Sequence, residues 1–94
     1  MKLLGKQILQ EFKKRHSEVK LQIESWEAEV MDTQWKTPHD LKGRYPKASL
    51  LEKQHVVFDI GWNRFRLLVQ VSYKNGIVLV KKIGTHKEYI KWKL

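Results

Sequence analysis

From His55 onward apolar residues recur at every second position, and Asn75-Gly76 breaks that alternation with a two-residue turn signal. A period of two belongs to a half-buried β-strand, whose successive side chains point to opposite faces. The runs "HVVFDI", "RFRLLVQVSY" and "IVLVKKIGT" therefore predict three antiparallel strands. A type I′ turn takes positive φ at both central residues, which suits Asn-Gly. With Asn75-Gly76 as that turn, Lys74 faces Ile77, Arg66 faces Thr85 and Arg64 faces Lys87. With Trp62-Asn63 as the other tight turn, Arg66 also faces Asp59. The two registers put Val56, Phe58, Ile60, Phe65, Leu67, Val69, Val71, Tyr73, Val78 and Val80 on one face, which is the predicted core. Lys82 falls among them and predicts either a snorkelling side chain or a bulge. The opposite face carries His55, Asp59, Arg64, Arg66, Gln70, Lys81 and Thr85, with Val57, Leu68 and Ile83 among them.

The N-terminal third has a helical period instead. Leu4, Ile8 and Phe12 recur every four residues, ahead of the cations Lys13-Lys14-Arg15, which favour a helix C-terminus. Ser17 predicts an N-cap for a second helix, along which Val19, Ile23, Trp26 and Val30 follow to about Asp32. The pair forms an antiparallel hairpin that covers the sheet. "TPHDLKG" predicts a short helical turn capped by Thr37, started by Pro38 and ended by Gly43. Lys47 to Gln54 is a loop or a short edge strand. The result is an α+β fold in a single domain, residues 1–94.

Charge narrows the function. The formal net charge is +9; residues 1–35 hold six basic and six acidic residues, and residues 36–94 hold thirteen and four. Excess charge confined to one portion suits a polyanion such as RNA or DNA. It also suits plain solubility. No apolar run is long enough to span a bilayer and no signal-peptide pattern opens the chain, so the reading is cytoplasmic with no membrane partner. There is no cysteine to form a disulfide or a thiolate nucleophile. His16, His39 and His55 lack partners at metal-ligand spacing, so no metal site is expected.

"GTHKEYI", Gly84 to Ile90, closes the third strand beside Arg64 and Arg66. His86 and Tyr89 stand three residues apart and share a face if the chain turns helical there. Arginine, lysine, histidine and tyrosine suffice for metal-free cleavage of an RNA phosphodiester. One group removes the 2′-hydroxyl proton, another protonates the departing 5′-oxygen, and cations stabilise the phosphorane charge. Lys42 and Arg44 lie on the preceding turn and loop. Each residue also has a plain structural reading: a cross-strand pair with Asp59 for Arg66, solvation for Arg64, a surface or capping place for His86, core-edge packing for Tyr89. Of the four tryptophans, Trp62 has the least structural reason for its position.

"TPHDLKGRYPKASLL", "HVVFDIGWNRFRLLVQVSY" and "KKIGTHKEY" resemble, in order and spacing over residues 35–90, the HigB family of bacterial toxins. That resemblance implies a RelE-like fold, with two N-terminal helices on a small, mostly antiparallel sheet. It implies an mRNA endonuclease (an mRNA interferase) that cuts messages on the translating ribosome without a cofactor. It also implies a HigA-type helix-turn-helix antitoxin that inhibits the toxin, and a complex of the two on their operator DNA. The matching residues are Asn63, Arg66, Thr85, His86 and Tyr89. By this carry-over Arg66 stabilises phosphate charge, His86 transfers a proton and Tyr89 orients or relays. Asn63 shapes the turn, and Lys42 contacts backbone phosphate. Arg44, Arg64, Lys87 and Trp62 complete the RNA-binding set. Two departures stand out: Trp62 precedes Asn63 where the family usually has glycine, and Ile90 replaces an acidic residue. Two other functions fit the fold, a toxin that inhibits a protein such as gyrase and a non-catalytic RNA-binding module.

Overall fold

A computed structural model describes residues 1–92 and is α+β. Five strands order as β1-β5-β4-β3-β2: β1 Lys2–Leu4, β2 Ser49–Leu50, β3 His55–Ile60, β4 Phe65–Ser72 and β5 Ile77–Thr85. The β1–β5 pairing is parallel and the rest are antiparallel. Four helices accompany them: α1 Lys6–Arg15, α2 Lys20–Met31, α3 Pro38–Arg44 and α4 His86–Ile90.

Helices α1 and α2 cover one sheet face, as their periodicity requires. Leu9 and Phe12 from α1 and Ile23, Trp26 and Val30 from α2 are buried against Val56, Phe58, Leu67, Val69 and Val80. Burying a side chain such as Phe58 contributes about 1.5–3 kcal/mol. Phe58 also meets Trp26, Trp35 and Tyr45, at ring-centroid distances of 5.4, 6.3 and 5.1 Å. Buried Lys13 ties the helices together through Glu27 at 2.9 Å and Glu24 at 3.5 Å. Burial opposes its charge, but the two carboxylates outweigh burial and raise its pKa above the ordinary lysine value.

Several helix ends differ from expectation. Residues 2–4 form β1, and α1 starts only after Gly5, whose φ of 81° breaks the run. Ser17 caps nothing; Ser17–Val19 is a 3₁₀ turn that leads into α2. Thr37 and Asp40 form the reciprocal cap of α3 with Pro38 inside it, but the helix continues through Gly43 to Arg44. The segment left open as loop or edge strand holds β2 and a 3₁₀ turn, Glu52–Gln54.

The β3–β4 register matches the sequence reading, from His55 opposite Gln70 to Ile60 opposite Phe65. Its turn has positive φ at both Trp62 and Asn63, 60° and 70°, and Arg64 N–H closes it on Gly61 O at 3.2 Å. The β4–β5 register departs from expectation. Ser72 faces Ile77, so the turn is centred on Lys74-Asn75 instead of Asn75-Gly76, and of its residues 73–76 only Gly76 has positive φ. Asn75 is held by its N–H and its side-chain amide on Ser72 Oγ, at 3.3 and 3.0 Å, which favours the shifted turn. A bulge between Leu68 and Val69 then leaves Lys81 unpaired. Beyond it Lys82 faces Leu68 on the polar side and Ile83 faces Leu67 on the core side, the reverse of the expected facing. Arg66 therefore lies opposite Gly84 rather than Thr85, and Arg64 and Lys87 are not a ladder pair.

Candidate active site

Helix α4 begins directly where β5 ends, and a capping box joins them. Thr85 Oγ1 accepts from Glu88 N–H at 3.2 Å, and Thr85 N–H donates to Glu88 Oε1 at 2.9 Å. That backbone bond chiefly holds the Glu88 carboxyl below its ordinary pKa, and the charges of Arg15 and His16 add to the effect. Five residues are too few for a self-sustaining helix; the cap and the packing of Tyr89 keep it folded. His86 N–H also donates to Arg64 O at 3.2 Å, which fastens the helix start to the edge of β4.

Arg66 occupies the centre of this rim. Its Nε lies 3.1 Å from Asp59 Oδ1, and its Nη1 donates to Asn63 O at 2.9 Å. The side chain is only 15% exposed, so its placement is fixed. Among the described residues these bonds leave Nη2 without a hydrogen-bond partner. Tyr89 lies against the guanidinium with its centroid 5.8 Å from Cζ, and 6.4 Å from the His86 ring. Arg66, Tyr89 and His86 thus form a row along one rim, with His86 exposed to solvent. Gly84 makes this possible. A Cβ there would come within 3.2 Å of Glu88 and of Trp92.

The other expected RNA-binding residues are dispersed. Arg64 is exposed and stacks over Phe65 at 5.4 Å; Lys87 is exposed on α4. Trp62, 92% exposed, projects from the tip of the first hairpin, and Asn63 supplies the carbonyl that anchors Arg66. The Lys42 ammonium is held by the carbonyls of Pro46 at 2.5 Å and Ala48 at 2.7 Å. Arg44 pairs with Glu29 and shares a 270 Å³ cleft with Asp59, the partner of Arg66. Tyr45 also bonds Glu29; burial, reinforced by that carboxylate, pushes its phenol well above the ordinary tyrosine range. The sequence reading did not include Arg15 at the site, although the "KKR" run at the end of α1 signals local positive charge. No helix among the described residues is long and apolar enough to cross a membrane.

Residues 19–92 match the family described as HigB toxin, RelE-like toxic component of a toxin-antitoxin system. The chain belongs to the HigB toxin family. It is 23% identical over 91 residues to the mRNA interferase toxin HigB of Escherichia coli strain K12, covering 95% of this chain and 88% of that one. It is 24% identical over 93 residues to the mRNA interferase HigB of Escherichia coli O6:H1, covering 97% and 90%. The mRNA interferase HigB of Shigella flexneri is also 23% identical over 91 residues. HigB-family membership accords with the α+β fold and with a cognate antitoxin. The family match includes the whole Arg66–Tyr89–His86 row.

Proposed function

We propose that the chain is an mRNA endonuclease of a toxin–antitoxin pair and that the Arg66–Tyr89–His86 rim is its cleavage site. One observation carries this reading. Arg66 is clamped by Asp59 and Asn63 O with its Nη2 uncommitted among the described residues, and the Tyr89 ring lies 5.8 Å from its Cζ and 6.4 Å from the exposed His86 ring. Preorganised positive charge of this kind is what a developing phosphorane requires. The 2′-oxygen loses its proton and attacks phosphorus, the bond from phosphorus to the 5′-oxygen breaks, and that oxygen takes up a proton. His86 is the proton-transfer group, Arg66 holds the non-bridging oxygens, and Tyr89 orients or relays. Arg64 and Lys87 neutralise flanking phosphates, and Trp62 and Asn63 shape the approach of the strand. Lys42 contributes to phosphate binding only by giving up a carbonyl contact, and Arg44 acts through the cleft it shares with Asp59.

Translating ribosomes present the message to this rim, a HigA-type helix-turn-helix antitoxin inhibits the toxin, and their complex sits on operator DNA. The relatives' names, mRNA interferase HigB, support the endonuclease reading. The test is induction in cells followed by mapping of message 5′ ends. New ends within translated reading frames are expected within the first minutes of growth arrest. Growth arrest with an unchanged end map would rule out the nuclease and favour a protein target.

A further inference from the structure

We propose that a groove on the polar sheet face, next to Arg66, binds the nucleotide adjoining the scissile one. This inference rests on the nuclease reading. The groove has a volume of about 460 Å³, within the size range of small-ligand sites. Leu51 and Leu68 supply apolar surface, and Lys53, Lys81 and Lys82 supply positive charge. An apolar floor with basic walls suits one nucleobase and its phosphate.

Position links the groove to the cleavage site. Leu68 lies two residues from Arg66 on the same face of β4, about 6.6 Å along the strand at 3.3 Å per residue. A strand held at Arg66 reaches the groove with its next nucleotide. Two departures from regular backbone build the walls. The β4–β5 bulge presents Lys81 and Lys82 as consecutive exposed residues, where an unbroken strand would turn one into the core. On the facing wall Lys53 and Gln54 both have positive φ, 56° and 62°, which side-chain-bearing residues rarely adopt. Gln70 Nε2 donates to Lys53 O at 3.0 Å and clamps this strained turn from the sheet. Strain of this kind persists where surrounding contacts hold it and often marks a ligand site.

The same turn fixes a reader of the base. His55 Nδ1 donates to Glu52 O at 3.0 Å, which leaves Nε2 of the neutral ring as an acceptor. His55 and Glu52 both line the groove, and His55 Nε2 and the Glu52 carboxylate offer acceptors to the amino or imino N–H groups of a base edge. None of these groups takes part in the proton transfers assigned to the rim, so the groove selects the substrate rather than cutting it.

Message-end mapping with the wild type, His55→Ala and Lys81→Ala/Lys82→Ala tests this, with thermal melts to confirm that each variant is folded. All three proteins are expected to cut messages. His55→Ala is expected to lose about tenfold of the base preference at one fixed position beside the cut, the worth of one hydrogen bond. In a second measurement, a fluorescent single-stranded RNA hexamer is titrated onto His86→Ala protein at several salt concentrations. Adding Lys81→Ala/Lys82→Ala is expected to lower the slope of log affinity against log salt by about 0.7 per lost phosphate contact. Identical end maps for wild type and His55→Ala, with an unchanged salt slope, overturn the groove and leave the nuclease standing. Variants that lose only antitoxin binding also overturn it, because the groove then holds a protein. A wild type that makes no new ends but a hexamer slope that still depends on the two lysines overturns the nuclease and keeps the groove as a nucleic-acid site.

Discussion

The two hairpins of the sheet share strand β4 and differ in regularity. The first, β3–β4, closes through a two-residue turn and keeps one register from end to end. The second, β4–β5, has its turn one residue earlier than Asn75-Gly76 would set it, and a bulge. Regularity in the first hairpin places Asp59 opposite Arg66 and locks the guanidinium. Irregularity in the second brings Gly84 opposite Arg66 and puts adjacent lysines on the surface. In this fold the regular ladder positions the charge, and the irregular one shapes the space around it.

The largest effect is expected from removing the groups at that rim. His86→Ala should slow message cleavage by about 10²- to 10⁴-fold, the usual worth of a proton-transfer group, and Arg66→Ala should do as much by removing charge stabilisation. Quantitative end mapping at matched protein levels reads both. A loss below tenfold in either would move the chemistry away from the row.

Deleting Lys81 tests the irregular hairpin more directly. Every pair on both sides of the bulge is retained when that residue is excised, because Val80 and Lys82 already face Val69 and Leu68. A stability change within about 1 kcal/mol is expected, since no core side chain is lost; urea denaturation measures it. Loss of the folded state would mean that the bulge supplies twist the sheet needs.

In the regular hairpin, Trp62→Asn is expected to stabilise the fold by about 0.5 kcal/mol, because asparagine tolerates the left-handed region better than tryptophan. A thermal melt measures the change. Destabilisation there would show that the exposed indole has a structural contact worth more than the strain.

Acid probes the joint between β5 and α4. Glu88 has a lowered pKa in the folded chain, so the stability it contributes is present above the ordinary glutamate value, about 4.3, and is lost as pH falls through the lowered value. Below that point the His86–Tyr89 amides should lose hydrogen-exchange protection before those of β3 and β4. Simultaneous loss throughout would show that α4 opens only with global unfolding.

How far the sequence foretold these features depends on what each rests on. The β3–β4 ladder was legible because both of its strands alternate cleanly and a one-residue slip would bury Asp59 and Arg66 together. The other hairpin was not, because Asn75-Gly76 also fits a turn centred one residue earlier, with Gly76 at its end. The Ser72 hydroxyl that holds Asn75 in the shifted turn carries no periodic signal. Lys82 on the expected core face did point to a bulge, without fixing its place. Strand β1 escaped notice because three residues that pair in parallel with β5 look like a helix start. His86 and Tyr89 could be set on one face from their three-residue spacing, whereas the carbonyl contacts of Lys42 depend on a loop fold that no local pattern encodes.

Gly84 offers a way to disarm the toxin that leaves every chemically competent group in the chain. A methyl group at that point would press on Glu88 and Trp92, which must yield by a few tenths of an ångström. If the side chains cannot give that much, the terminal helix must, and its imidazole and phenol then move out of step with the guanidinium. Hydrogen, the smallest substituent available at Cα, is as much a requirement of this rim as any functional group around it.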